Sequence, residues 1–242
     1  MASRQPAHPI GSSDRLALLR SHPLFRELPA PVIERLGSYM TRKTLPRGTN
    51  IFAKGDPGTG LMGVLSGTVK ISVLSADGRE VVLNVIHAGE IFGEIALLDG
   101  RARTADATTM SDCELALIDR RDFVPFLRSQ PDVVLKFIDI LCLRLRRTSE
   151  QVEELMFLEL PARLAKTLIR LTGELGTPAA GGKIVITQRD IGQIIGMSRE
   201  STNRQLRAWA KQKWIRLERG GVTVLNAAAL AELAEHNAAH AG

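Results

Sequence analysis

The chain has 242 residues, 44% of them hydrophobic, enough to bury one large core or two modest ones, which excludes disorder as its main state. No apolar run reaches membrane-spanning length, and the start, MASRQPAHPIGSSDRLALLR, offers only Leu16 to Leu19 as an apolar patch, so neither signal peptide nor membrane span is expected and the protein is placed in the cytoplasm. The net charge is +6, and two cysteines, Cys113 and Cys142, are too few for a four-cysteine zinc or iron-sulfur site and read as core residues.

Residues 14–39 read as short helices, with Ser13 and Asp14 ahead of an apolar run that Pro23, Pro29 and Pro31 interrupt. The texture then changes. Ten of the 21 glycines fall between Gly48 and Gly100 and separate short apolar stretches such as Val69, Ile71 and Val73 in period two, so a sandwich or rolled sheet is expected. Asp77-Gly78, between TVKISVLSA and REVVLNVI, marks a hairpin.

After a last strand near Cys113 to Ile118, the pattern becomes a long helix from Pro131 to about Leu158. Ser129 with Asp132 resembles a capping box, and Pro131 suits a first turn. Val134, Ile138, Leu141, Leu145, Thr148, Val152 and Leu155 follow alternating steps of four and three, the spacing of a coiled-coil seam. Such a helix spans roughly 40 Å, more than one small sheet needs covered, so a symmetric dimer is expected. Thr148, with Ser149 beside it, interrupts the apolar seam. A hydroxyl there needs a partner, either something polar arriving at the seam or the helix's own carbonyl.

The positive charge is concentrated near the C-terminus. Between Glu159 and Arg219 lie 12 Lys and Arg against five acids, a local net of +7; Glu232 and Glu235 bring −2, leaving residues 1–158 at +1. A polyanion partner for one domain follows. In that segment Thr187 and Asp190 form a T-x-x-D cap that opens QRDIGQIIG, Gly196 closes it, and Ser198 caps a second helix, RESTNRQLRAWAKQKW. This is a helix-turn-helix, with Ile191, Ile194, Ile195 and Leu206 as shared core and Gly192 at a close helix crossing. Thr187, Gln188, Ser198, Arg199, Glu200, Thr202, Asn203 and Arg204 are the candidate DNA contacts. Arg199 and Arg204 can each offer two donors to a guanine, and Glu200 can accept from a cytosine amino group. Arg207, Lys211 and Lys213 suit phosphate contacts. WIRLE and VTVL around Arg219-Gly220-Gly221 read as a wing, and the Ala-rich tail from Ala227 to His240 as a helix with Asn226 as its cap.

The stretch GEIFGEIALL from Gly89 to Leu98, followed by Arg103-Thr104-Ala105, resembles the phosphate-binding cassette of cyclic-nucleotide-binding domains. With RTSEQVEELMFLEL from Arg147 to Leu160 and SRESTNR from Ser198 to Arg204, the chain from about Leu24 to Leu225 is similar to the bacterial cyclic-AMP receptor protein family of transcription regulators. The resemblance implies an α+β fold: a double-stranded β-helix (jelly-roll) sensor over 1–130, a dimerisation helix over 131–158, and a winged helix-turn-helix over 159–242. It implies a homodimer that binds cyclic AMP, or cyclic GMP, together with palindromic DNA containing TGTGA-like half-sites and RNA polymerase. Gly93, Glu94, Ile95, Arg103, Thr104, Arg144, Thr148 and Ser149 are the candidate nucleotide contacts. Arg103 can fork onto the phosphate, Thr104 adds donors, Gly93 admits the backbone and Glu94 can accept from the 2′-hydroxyl. By resemblance the base reaches Thr148 and the partner's Ser149, and the hinge falls near Leu155 to Glu159. Ala102 stands where many family cassettes have proline, and the loop from Gly173 to Gly182, where family members often touch RNA polymerase, carries no readable pattern.

Two other readings compete. A haem-gated relative would lean on His87 or Cys113. A metalloenzyme on the same rolled sheet would need several converging histidines, and of the five only His87 falls in the sheet region. With no nucleophile, base and orienter in view, neither enzyme activity nor a metal is expected.

Overall fold

The computed structural model describes residues 8–9, 19–20, 28–76, 78, 80–174 and 183–236, and within them the chain is α+β. It divides into two units, Met1–Val73 with Leu83–Leu143, and Leu74–Val82 with Arg144–Gly242. The first begins with β1 (His8–Pro9), α1 (Ala30–Ser38), β2 (Thr41–Leu45), β3 (Asn50–Phe52), β4 (Gly60–Ser66), β5 (Thr68–Leu74), β6 (Glu80–His87) and β7 (Ile91–Phe92). It continues with α2 (Glu94–Asp99), β8 (Asp106–Thr109), β9 (Cys113–Asp119) and α3 (Arg120–Arg128) and runs into α4 (Pro131–Phe157). Two sheets result, ordered β1-β2-β9-β4-β7 and β3-β8-β5-β6.

Period two explains the layering, because both faces of the central strands are apolar. In β9, Cys113 and Leu115 enter a core shared with Val69 and Ala107 of the other sheet, while Ala116 and Ile118 turn outward to a second core. That outer core holds Ile33 and Leu36 of α1, Phe123 and Phe126 of α3, and Val133 and Phe137 from the start of α4. Cys113 is thus a core residue, whereas Cys142, expected inside, is exposed on α4.

Several local expectations change. Pro29 and Pro31 start α1 rather than ending a helix. The Ser13, Asp14 and Pro23 signals, Asp77 of the hairpin, residues 175–182 of the loop after α5 (Leu160–Glu174) and residues 237–240 of the tail lie outside the described residues. The Ser129 capping box does not form: its Oγ donates back to Phe126 O at 2.8 Å, and Val133 N and Val134 N both turn to Gln130 O. Ser129 is instead taken up in closing α3, a helix the sequence pattern did not announce.

The second unit carries the remaining elements, β10 (Lys183–Ile184), α6 (Gln188–Ile194), α7 (Arg199–Lys211), β11 (Ile215–Glu218), β12 (Gly221–Val224) and α8 (Ala227–His236). Strands β10, β12 and β11 form an antiparallel wing in that order. The tail helix α8 is capped by Asn226, whose Oδ1 accepts from Ala229 N at 3.0 Å, and buries Leu230 and Ala234 in this unit, where it packs against α5. Helix α7 ends in a Schellman turn: Trp214 N reaches Trp209 O, Lys213 N reaches Ala210 O, and the two indoles pack 6.1 Å apart. Lys213 occupies the left-handed position, φ 60°. Lys213→Gly is therefore expected to raise stability by about 0.5–1 kcal/mol, read as a higher denaturant midpoint without DNA.

Along α4 one face is buried in the first unit, but Val134, Ile138, Leu145, Val152 and Leu155 of the other stripe are exposed, Leu145 at 68%. No helix among the described residues is long and apolar enough to cross a membrane, and none of their His, Cys, Asp and Glu side chains group into a metal site.

Candidate functional site

In the first unit the candidate cassette is built around Arg103. Its main chain is held by the loop after β3: Gly55 N donates to Arg103 O at 2.9 Å and Arg103 N donates to Asp56 O at 2.8 Å. Its side chain turns inward and is only 4% exposed. Nη1 donates to Gly93 O at 2.7 Å and Nη2 to Gly60 O at 2.8 Å, while Nε is buried with no acceptor among the described residues. The guanidinium carbon lies 4.3 Å above the ring centroid of Phe52, which in turn packs on Phe92. Burial pulls the guanidinium below its usual range, and the Glu94 and Asp56 carboxylates oppose that shift.

Gly93 is the residue this arrangement cannot vary. It stands at φ 81° as the N-cap of α2, and a Cβ there would come within 2.6 Å of Arg103 Nη1. Glu94 is buried at the first position of α2. Ile95 and Thr104, by contrast, are exposed. The structure thus brings Gly93, Glu94 and Arg103 together, leaves Ile95 and Thr104 on the surface, and adds Phe52, Asp56 and Gly60, which sequence reasoning did not single out. What these residues can do is hold a buried cation with one nitrogen, Nε, unpartnered among the described residues, a donor that a monoanionic ligand can use.

Arg144, Thr148 and Ser149 lie on the part of α4 that belongs to the second unit. Thr148 Oγ1 donates to Arg144 O and Ser149 Oγ to Leu145 O, each at 3.0 Å, so both hydroxyls bond back to their own helix.

The helix-turn-helix follows from its caps. Thr187 Oγ1 accepts from Asp190 N at 3.1 Å, and the Asp190 carboxylate accepts from Thr187 N in return. Ser198 Oγ accepts from Ser201 N at 3.2 Å and starts α7. Thr202, Leu206 and Trp209 turn inward while Arg199, Glu200, Arg204 and Arg207 are exposed. Thr202, counted among the DNA contacts, is fully buried: its hydroxyl donates to Ser198 O at 3.0 Å, which makes it part of the helix crossing and not of the reading face. Gln188 and Asn203 are half-buried. In the wing, Arg216 and Thr223 hydrogen-bond Glu218 and, in that order of effect, hold its carboxyl below the usual range.

Gly192 sits where the two helices cross. A Cβ there would stand 3.0 Å from Met197 O and 3.1 Å from Thr202 Oγ1. Overpacking of this kind costs roughly 1–3 kcal/mol and the helix-propensity gain of alanine returns about 1, so Gly192→Ala is expected to lose about 1 kcal/mol in denaturant unfolding.

Comparison with known proteins finds a counterpart for each of the two modules. Residues 42–130 match the cyclic nucleotide-binding domain, and residues 162–233 match the Crp-like helix-turn-helix domain. The CRP-like cAMP-activated global transcriptional regulator of Mycobacterium tuberculosis is 34% identical over 214 residues, covering 87% of this chain and 96% of that one. The cyclic AMP receptor protein of Thermus thermophilus is 33% identical, covering 89% and 98%. The solved structure of the c-di-GMP responsive global regulator CLP of Xanthomonas campestris superposes with a TM-score of 0.72 at 27% identity, covering 81% of this chain and 99% of that one. The Thermus thermophilus catabolite activator protein gives 0.51 at 33% identity, covering 89% and 99%.

Proposed function

The chain belongs to the cyclic-AMP receptor protein family: it is a cyclic-nucleotide-responsive, DNA-binding transcription regulator and not an enzyme, and from that premise we propose that cyclic AMP is its effector. The observation that carries the proposal is Arg103, buried with an unused Nε donor beside left-handed Gly93. A cyclic nucleotide brings one phosphodiester charge to that donor, Thr104 adds a surface donor, and Glu94 accepts from the 2′-hydroxyl. The base is met by Thr148 and by Ser149 of the partner subunit, with Arg144 one turn away, so the two hydroxyls exchange their helix carbonyls for the ligand.

The open stripe on α4 supports a homodimer, since a second copy buries it along a two-fold axis. Division of labour follows the sequence: residues 1–130 sense, 131–158 dimerise and 159–242 bind DNA. Ligand binding favours the arrangement that sets two α7 helices on TGTGA-like half-sites about 34 Å apart, a docking for which the catabolite activator is itself the standard example. RNA polymerase is the further partner, and the cytoplasm is where operator and polymerase meet.

Cyclic AMP and cyclic GMP, each titrated against the purified protein with labelled palindromic DNA, test this reading, with cyclic di-GMP as a third arm because the Xanthomonas campestris regulator responds to it. Cyclic AMP is expected to raise operator affinity most. Operator affinity that no cyclic nucleotide changes would sink the proposal.

A further inference from the structure

The face of a buried guanidinium poses a problem that its edge does not. The edge of Arg103 is served by Gly93 O and Gly60 O, but the face has no hydrogen-bonding capacity, so away from water only an aromatic ring can meet it favourably. Phe52 supplies that ring at 4.3 Å. The ring is fixed in turn: it sits at the end of β3, where the pairing to β8 shifts register, and packs against the fully buried Phe92. Two carbonyls and one ring beneath set the position and the tilt of the guanidinium, and Nε is the nitrogen left without a partner among the described residues.

We propose that Phe52 is a positioning residue for ligand capture: its ring holds the Arg103 plane so that the unused Nε donor stays aimed at the incoming anion. The proposal rests on the reading of Arg103 as the phosphate contact. It separates Phe52 from the other apolar residues of the inner core, which fill volume without touching a ligand group.

Two measurements decide it. In nucleotide-free protein, the Arg103 Nε–H resonance, assigned by its loss in Arg103→Lys, is expected upfield-shifted by the ring and slow to exchange. Phe52→Tyr keeps both properties, and Phe52→Leu loses both. In calorimetry with cyclic AMP, Phe52→Leu is expected to bind about tenfold more weakly and Phe52→Tyr within about threefold of the parent. Added to Arg103→Lys, Phe52→Leu is expected to cost less than about twofold more, because the ring acts through the guanidinium. Overturning results are an unshifted Nε–H signal, unchanged affinity in Phe52→Leu, or an equal loss in the Arg103→Lys background, which would make Phe52 a core residue only. Should the parent protein bind no cyclic nucleotide, the site reading fails instead, and the Nε–H signal alone decides whether the ring holds the guanidinium. That signal is read on the parent protein, so it does not depend on any variant folding.

Discussion

Arg103→Ala is expected to lower cyclic-nucleotide affinity by about two to three orders of magnitude and to destabilise the protein at the same time. The first effect follows from removing one partner of a desolvated, hydrogen-bonded charge pair, which costs roughly 3–4 kcal/mol in binding. The second follows from what stays behind. Gly60 O and Gly93 O lose their donors, buried Glu94 loses a neighbouring cation, and the ring of Phe52 faces a void. Unsatisfied buried groups of this kind cost about 1–3 kcal/mol each when they cannot reach water, so a loss of about 2–4 kcal/mol in unfolding without nucleotide is expected. Arg103→Lys keeps the charge but cannot serve two carbonyls in one plane, and should fall between the two in both measurements. Calorimetry with cyclic AMP on folded protein checks the first effect and denaturant unfolding the second. Unchanged affinity would move the anion site elsewhere, and unchanged stability would mean that the two side-chain hydrogen bonds of Arg103 do not hold it in solution.

That double role shows where sequence reasoning stops. Arg103 was singled out with Gly93 and Glu94 by resemblance to a phosphate-binding cassette and is proposed as the anion contact, but its carbonyl partner Gly60 and its ring partner Phe52 are distant in sequence and carry no motif. The helix-turn-helix was legible almost residue by residue, since its caps and its glycine crossing obey short-range rules. Thr202 was misplaced there although its spacing to Leu206 and Trp209 is that of an inward helical face, because the recognition run was taken as a block. Helix α3 went unpredicted and carries Pro125 inside RRDFVPFLR, where tertiary burial of Phe123, Phe126 and Leu127 outweighs the lost bond. The rolled sheet was legible as a class from glycines and period two, but not its strand order, which long-range pairing decides.

Arg204→Ala is expected to be the most selective lesion in DNA binding. Arg204 is exposed on the outward face of α7, one turn beyond Glu200 and on the face opposite buried Leu206, and its guanidinium makes no hydrogen bond or ion pair among the described residues. A bidentate contact to guanine contributes roughly 1–3 kcal/mol of discrimination, and a two-fold dimer makes the contact twice, so the loss on a full palindrome is about 2–6 kcal/mol at fixed salt. On random DNA the same variant should lose little beyond one phosphate-strength interaction, and substituting the guanine pair in both half-sites should cost it almost nothing further. Arg207→Ala is the comparison. Also exposed, but farther along the helix, it is expected to weaken specific and random DNA alike and to reduce the salt dependence of binding by about two units of slope, one for each protomer. Fluorescence anisotropy on matched, substituted and random duplexes at two salt concentrations separates the two arginines. If Arg204→Ala loses equally on all three duplexes, that side chain meets the backbone of the DNA and not its bases, and the reading face must then be assigned to Arg199 and Glu200 alone.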